Sequence, residues 1–123
     1  QMSEAGEHPI TQIIRTMFNE GENPLKDDRS IIGSNELKEY LRHNNMLGRA
    51  RINDVANALE QIGGRNLGQV RVQIDFDIIG EGTSFTKPTL YLIRRQDEFI
   101  GNTPQEIVAK VQYRPIHIAK RYN

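Results

Sequence analysis

The sequence contains no cysteine, which excludes disulfide bridges and metal sites built on thiolates. It has no apolar run approaching the ~18–20 residues that a membrane-spanning helix needs. It also does not begin with the charged and then apolar segment of a secretory signal peptide. We therefore expect a cytoplasmic protein that makes no contact with a membrane. A length of 123 residues is enough for one domain with a modest hydrophobic core.

The chain also lacks net charge, because its 16 basic and 16 acidic residues cancel. Nucleic-acid-binding proteins usually carry a basic surplus. The charges are unevenly distributed, however: residues 1–41 hold eight acidic residues against four basic ones, and residues 42–71 hold five arginines against two acidic residues. Since a local basic patch matters more for phosphate contact than the total charge, residues 42–71 are the candidate region for binding an anionic partner.

Motifs of catalysis are scarce. The three histidines are scattered, without the spacing of a zinc site, and neither a phosphate-binding loop nor a nucleophile elbow is present. One alternative is a metal-dependent nucleotidyl transferase, because Asp75 and Asp77, two residues apart on a strand, would point to one face and hold divalent metals. Such an enzyme needs a further carboxylate and a larger sheet, so we predict a non-enzymatic protein without metal, cofactor or small-molecule substrate.

Apolar residues with helical spacing predict three helices in the first half of the chain. The first covers residues 10–18, and the second follows Ser34 as its N-cap. The third runs from about Arg49 to Ile62 and stops at two glycines. The apolar side chains expected on the buried face of this third helix are Ile52, Val55, Ala56, Leu59 and Ile62.

Alternation of apolar and polar residues predicts a β-ribbon in the second half. One arm covers residues 70–79, with one buried and one solvated face. The other covers residues 86–95, where Leu90 and Leu92 continue the pattern of buried positions. The glycine-rich loop Gly80–Phe85 joins them. Thr103 and Glu106 around Pro104 then predict a capped helix that extends to about residue 112.

Together with a short apolar strand at Ile31–Ile32, these elements follow the order helix–strand–helix–helix–strand–strand. That order is typical of a winged helix-turn-helix. We therefore predict an α+β fold over residues 10–113, with a three-helix core, a three-stranded antiparallel sheet bearing a long ribbon as the wing, and an extra C-terminal helix. Residues 1–9 and the basic residues 114–123 are expected to be flexible.

In a winged helix the second helix of the pair enters the major groove of DNA. Arginine suits guanine and phosphate, and asparagine matches the edge of adenine. The residues predicted to approach the groove are Arg49, Arg51, Asn53 and Asn57, and those predicted to contact phosphates are Arg65, Arg71, Lys87, Arg94 and Arg95. Asp54 and Glu60 on the same helix oppose this interpretation. A polar face that only meets water, or a winged helix that docks on a protein through an acidic first helix, remains an alternative.

Residues 34–45, 48–72 and 87–115 resemble the C-terminal region of phage and prophage primase–helicases with a superfamily-three motor. The shared features are two helices with similarly spaced leucines, a ribbon ending in a "LYLIR" strand, and a last helix with Pro104, Glu106, Ile107 and Tyr113. The resemblance covers about residues 30–115. It implies a winged-helix module that assists DNA replication, with DNA and other domains or subunits of a replication protein as partners. It implies no catalytic residue, and the ribbon of this chain is longer and more acidic than that pattern.

Overall fold

The computed structural model describes residues 8–21, 23–26, 29–76, 82–111, 113, 114 and 116, with the backbone alone for residues 73–76 and 82–86. These residues form an α+β fold, as predicted. The helices are α1 (Pro9–Asn19), α2 (Ser34–His43), α3 (Ile52–Gln61) and α4 (Pro104–Lys110). The strands are β1 (Ile31–Gly33), β2 (Arg65–Gln69), β3 (Val72–Phe76), β4 (Gly82–Thr86) and β5 (Thr89–Leu92), with a 3₁₀ turn at Gln96–Phe99. Within this part of the chain, no helix is both long enough and apolar enough to cross a membrane.

The main sheet has three antiparallel strands in the order β1–β5–β2. Leu92 on the central strand lies opposite Ile31 on β1 and Arg65 on β2. A β-bulge between Asn66 and Gly68 shifts the register of β2, and Gly68 has a φ of 75° that glycine adopts readily. The first strand of the chain thus pairs with the last one, next to a pair of helices. This arrangement is compatible with a winged-helix-like fold.

A two-stranded ribbon, β3–β4, extends the β2–β5 hairpin. The register of the two pairs is continuous, since Val72 lies opposite Thr86 in step with the pairing of β2 and β5. At the junction Val70 N donates a hydrogen bond to Pro88 O at 3.1 Å. Pro88 has no N–H with which to continue the ladder, so the pairing is interrupted there. The hairpin is therefore long, as predicted, but it consists of two separate pairs of strands.

Two features of the predicted hairpin are wrong. The arm was expected to begin at residue 70, whereas β2 begins at Arg65; the bulge and the single buried residue Leu67 hide the alternation of a strand. The loop was expected at Gly80–Phe85, but residues 82–85 belong to β4. The remainder of that loop lies outside the described residues.

The sheet separates two hydrophobic clusters, because successive side chains of β5 point to opposite faces. Tyr91 and Ile93 pack with α1, α2 and α3, while Leu90 and Leu92 pack in a second cluster that includes Ile107 of α4. All four of these β5-segment residues are buried. Leu90 and Leu92 are buried as predicted, but the predicted solvated face is wrong on this arm, since Tyr91 and Ile93 pack against α1, α2 and α3.

The start of α2 is built around Glu36. The predicted N-cap, Ser34, is instead the first helical residue, and Gly33 is the cap. Glu36 Oε1 accepts a hydrogen bond from Gly33 N at 2.7 Å, and Glu36 Oε2 accepts one from Ile116 N at 2.8 Å. Ile116 is itself buried in the helical cluster. Packing thus continues at least to Ile116, past the predicted boundary at residue 113.

The start of α4 follows the prediction. Thr103 Oγ1 accepts a hydrogen bond from Glu106 N at 3.2 Å, and Glu106 Oε1 accepts one from Thr103 N at 2.9 Å. This reciprocal pair is a capping box. The helix ends at Lys110, two residues before the predicted end. It is therefore anchored by its own cap and by the fully buried Ile107.

Candidate nucleic-acid interface

Helix α3 buries one face and presents the other to solvent. Val55, Ala58 and Leu59 are 0% exposed and pack in the cluster formed with α1 and α2. Asn53 and Asn57, one turn apart, are exposed, as predicted. The predicted buried face is wrong at Ile52, which is 37% exposed. The helix begins at this residue and not at Arg49, so Ile52 lies in the first turn, before the buried stripe starts.

Arg49 and Arg51 lie immediately before α3 and are exposed. Arg51 is the N-cap residue, and its backbone N–H, not its side chain, takes part in the cap. Within the described part of the chain, the side chains of Arg49, Arg51, Asn53 and Asn57 make no hydrogen bond or ion pair. We call these four residues the α3 face. Its polar groups are available to an external partner.

Two acidic residues of α3 that oppose DNA binding have partners within the fold. Asp54 Oδ2 accepts a hydrogen bond from Arg51 N at 2.9 Å and lies 3.6 Å from His8 Nε2. Glu60 lies in the last turn, and its carboxylate is close enough to Tyr91 to act on the phenol. Burial and this carboxylate together raise the pKa of Tyr91 above its usual value. Asp54 is thus hydrogen-bonded at the start of the α3 face, and Glu60 lies near the opposite end of the helix.

Arg65, predicted to contact phosphate, is half-buried and serves the fold. Its guanidinium donates to Phe99 O at 3.1 Å and to Asn102 O at 3.0 Å. These contacts join β2 to the segment that leads into α4. They supply side-chain donors to two backbone carbonyl groups of that segment.

Arg94, the second predicted phosphate contact on the sheet side, is also hydrogen-bonded within the fold. It donates to Arg29 O at 2.9 Å and to Leu25 O at 2.5 Å. Its guanidinium carbon lies 4.3 Å from the centre of the Phe18 ring, within range of a cation–π interaction. The end of β5 is thereby attached to α1 and to the loop that follows it.

Arg95 is exposed but paired. It adopts a left-handed backbone conformation with a φ of 63° and donates two hydrogen bonds to the Glu98 carboxylate, each of 3.0 Å. The guanidinium holds the pKa of Glu98 below its usual value. The positive charge at this position is therefore largely balanced before any partner approaches.

The last two predicted phosphate contacts, Arg71 and Lys87, lie where the ribbon is interrupted. Both are exposed. The register shared by the flanking pairs of strands places them opposite each other across the hairpin. We call this pair the ribbon root. The positive charge of residues 42–71 is thus presented at two places, ahead of α3 and at the ribbon root.

The alternative of a metal-dependent nucleotidyl transferase depends on Asp75 and Asp77, which lie largely outside the described residues. The side chain of Asp75 and the whole of Asp77 are not among the described residues. Elsewhere in the described chain, no three histidine or acidic side chains lie close enough together to hold a metal ion.

No protein-family model, curated protein or solved structure matches this chain. The resemblance to phage primase–helicases therefore stays a prediction.

Proposed function

We propose that this chain is a non-enzymatic winged-helix module that binds duplex DNA within a phage-type replication protein. The observation that carries the proposal is the α3 face, which combines two arginines and two asparagines that have no other use in the described fold. The β1–β5–β2 order beside the α2–α3 pair supports the winged-helix assignment. The replication context rests on the resemblance of residues 30–115, with other domains or subunits of that protein as further partners.

In this proposal α3 enters the major groove with its N-terminal end foremost, as recognition helices do. Arg49 and Arg51 neutralise phosphates beside the groove, and Asn53 and Asn57 face base edges. The ribbon root supplies a second set of phosphate contacts through Arg71 and Lys87. The neutral total charge is then no obstacle, because local basic patches matter more for phosphate contact than the net charge.

The test is a fluorescence-anisotropy titration of the 123-residue chain against a labelled duplex of about 20 base pairs at about 50 and 200 mM salt. The variant is Arg49→Gln with Arg51→Gln. Its matched control, Lys110→Gln with Arg114→Gln, removes the same charge from exposed positions on and beyond α4. We expect the first pair to weaken binding by about tenfold or more and to reduce the salt slope by about 1.8, at roughly 0.9 for each phosphate released.

Three results would contradict the proposal. These are the absence of binding to any duplex, an affinity that does not change with salt, and an equal loss of affinity in the two double variants. Circular dichroism of each variant would show whether the fold is retained.

A second candidate function is docking on a protein partner, and Ile100 is the observation that favours it. This side chain is 79% exposed at the end of the 3₁₀ turn. The predicted route, through an acidic first helix, is wrong, because α1 contains one charged residue, Arg15, and no acidic residue. Replacing Ile100 by aspartate should leave DNA affinity unchanged if the chain binds DNA through the α3 face. If Ile100→Asp weakened DNA binding while the Arg49 and Arg51 variant did not, the α3 face would not be the DNA interface.

A further inference from the structure

Ile52 is exposed at the start of a helix that is otherwise strictly amphipathic. Among the described residues, Ile52 and Ile100 are the large apolar side chains that remain exposed. Ile52 is next to Asn53 and directly follows the N-cap residue Arg51. An isolated apolar side chain on a surface needs no explanation by itself. This one, however, lies between Arg51 and Asn53 of the α3 face, whose side chains have no partner in the described chain.

The amides on this face have a chemistry that matches one base. Asn53 and Asn57 are one helical turn apart, so their side chains project from the same side of α3. An asparagine amide offers one donor and one acceptor, and this pair matches N7 and N6 of adenine in the major groove. Since both amides are exposed and uncommitted within the described chain, neither must give up an internal hydrogen bond to bind a base.

The residues that would read guanine are absent from the helix itself. Residues 52–61 contain no lysine or arginine. Arg49 and Arg51 precede the helix, at the level where the backbone enters it, which suits contact with phosphates. Glu60, which would accept a hydrogen bond from cytosine, is in the last turn beside Tyr91. The part of α3 that enters a groove first therefore carries two amides and one apolar side chain, together with Asp54, whose carboxylate accepts a hydrogen bond from Arg51 N.

We infer that the first half of α3 reads A·T base pairs in the major groove, with Asn53 and Asn57 on adenine and Ile52 against the 5-methyl group of thymine. This inference rests on the proposed DNA binding and adds its specificity. The thymine methyl group is the apolar feature of the major groove. An exposed isoleucine beside two free amides supplies the matching set of contacts.

The experiment compares two duplex pools with identical flanks, one with a core randomised over A and T and one with a core randomised over G and C. Two modified versions of the A·T pool follow: deoxyuridine in place of thymidine removes the methyl group, and 7-deazaadenine in place of adenine removes the N7 acceptor. We expect the G·C pool to bind roughly 5- to 100-fold more weakly, in line with the discrimination of one bidentate contact. Deoxyuridine should weaken binding about fourfold, as expected for one buried methyl group.

Two variants assign these effects to residues. Ile52→Ala should abolish the difference between thymidine and deoxyuridine while retaining the effect of 7-deazaadenine. Asn53→Ala with Asn57→Ala should do the reverse. Because the three positions are exposed, we expect both variants to fold, and thermal unfolding followed by circular dichroism checks this.

The outcomes separate the inference from the proposal on which it rests. Equal, salt-dependent affinity for the two pools would overturn the reading of A·T and leave the proposed DNA binding intact. A preference for A·T that neither modified base alters would indicate minor-groove or shape recognition and would also overturn it. Absence of binding to every pool would overturn both.

Discussion

The arginines of this chain form two groups that its sequence does not distinguish. Arg49 and Arg51 lie ahead of α3, exposed, with side chains that have no partner in the described structure. Arg65 and Arg94, on the sheet side, each donate to two backbone carbonyls. An arginine near a predicted DNA-binding element can therefore either stabilise the fold through internal hydrogen bonds or remain available to bind a partner. The carbonyl groups around each arginine decide which of these it does.

Arg65 and Arg94, whose side chains bind backbone carbonyl groups, lie where the chain turns. Arg65 contacts the carbonyls that close the 3₁₀ turn and precede α4, and Arg94 contacts the loop between α1 and β1. Carbonyl groups at the ends of elements have no partner within their own element. A guanidinium carries five donors in a planar fork and can reach two such carbonyls at once. At the start of α3 the backbone groups without a helical partner are N–H donors, which need an acceptor and not a guanidinium, and Asp54 accepts from Arg51 N.

The largest expected difference between the groups is in stability. Arg94→Met should lower the free energy of unfolding by about 3 kcal/mol, since it removes two charged hydrogen bonds and the contact with Phe18. Arg49→Met, the matched change in the exposed group, should alter it by less than about 0.5 kcal/mol. Urea denaturation followed by circular dichroism measures both. If Arg94→Met were as stable as the parent protein but bound DNA poorly, Arg94 would belong with the exposed group.

A smaller loss is expected at Arg65. Arg65→Met should lower the free energy of unfolding by about 2 kcal/mol, because Asn102 O loses its side-chain donor, Phe99 O keeps only the bond from Asn102 N, and no aromatic contact is involved. The salt slope of DNA binding should remain that of the parent protein. Arg51→Met should show the opposite behaviour, with a reduced slope and unchanged stability. If Arg65→Met reduced the salt slope of DNA binding, Arg65 would contact DNA as Arg49 and Arg51 are proposed to do.

The smallest expected effect is at alkaline pH and concerns Tyr113, beside Glu36 and Arg29. Burial and the Glu36 carboxylate raise the pKa of Tyr113 above 10.0. The unfolded chain therefore loses this proton near pH 10, while the folded chain keeps it, so stability is fully present below about pH 10 and falls as pH rises further. The slope is at most about 1.4 kcal/mol per pH unit for this group. In Tyr113→Phe the fall between about pH 10 and 11 should be shallower; an identical fall would show that Tyr113 does not contribute.

The elements that could be predicted from sequence are those that depend on near neighbours. The apolar spacing of residues 10–18 predicted α1, which spans Pro9–Asn19. The capping box of Thr103 and Glu106 predicted the start of α4. Strand β2 was missed because only Leu67 is buried in it and a bulge breaks its alternation. Its identity as a strand comes from pairing with β5, whose paired residues are 20 to 27 positions along the chain.

The candidate site shows the same division. The solvent exposure of Asn53 and Asn57 follows from the helical period and was predicted correctly. The use of Arg65 and Arg94 was not foreseen, because their acceptors are 34 to 69 residues away in sequence. The exposure of Ile52 was also missed, since α3 begins at this residue and not at Arg49, where its start was predicted.

The sequence by itself determined the α+β class, the four helices and the outward position of the α3 amides. These follow from spacing and capping within a few residues, where local sterics and hydrogen bonds act. Only the tertiary structure decided which cations are available, that α4 covers the second face of the sheet, and that the α3 carboxylates have internal partners. Each of these depends on groups brought together by folding, and the partner of a polar side chain is set by what lies within about 3 Å of it in space.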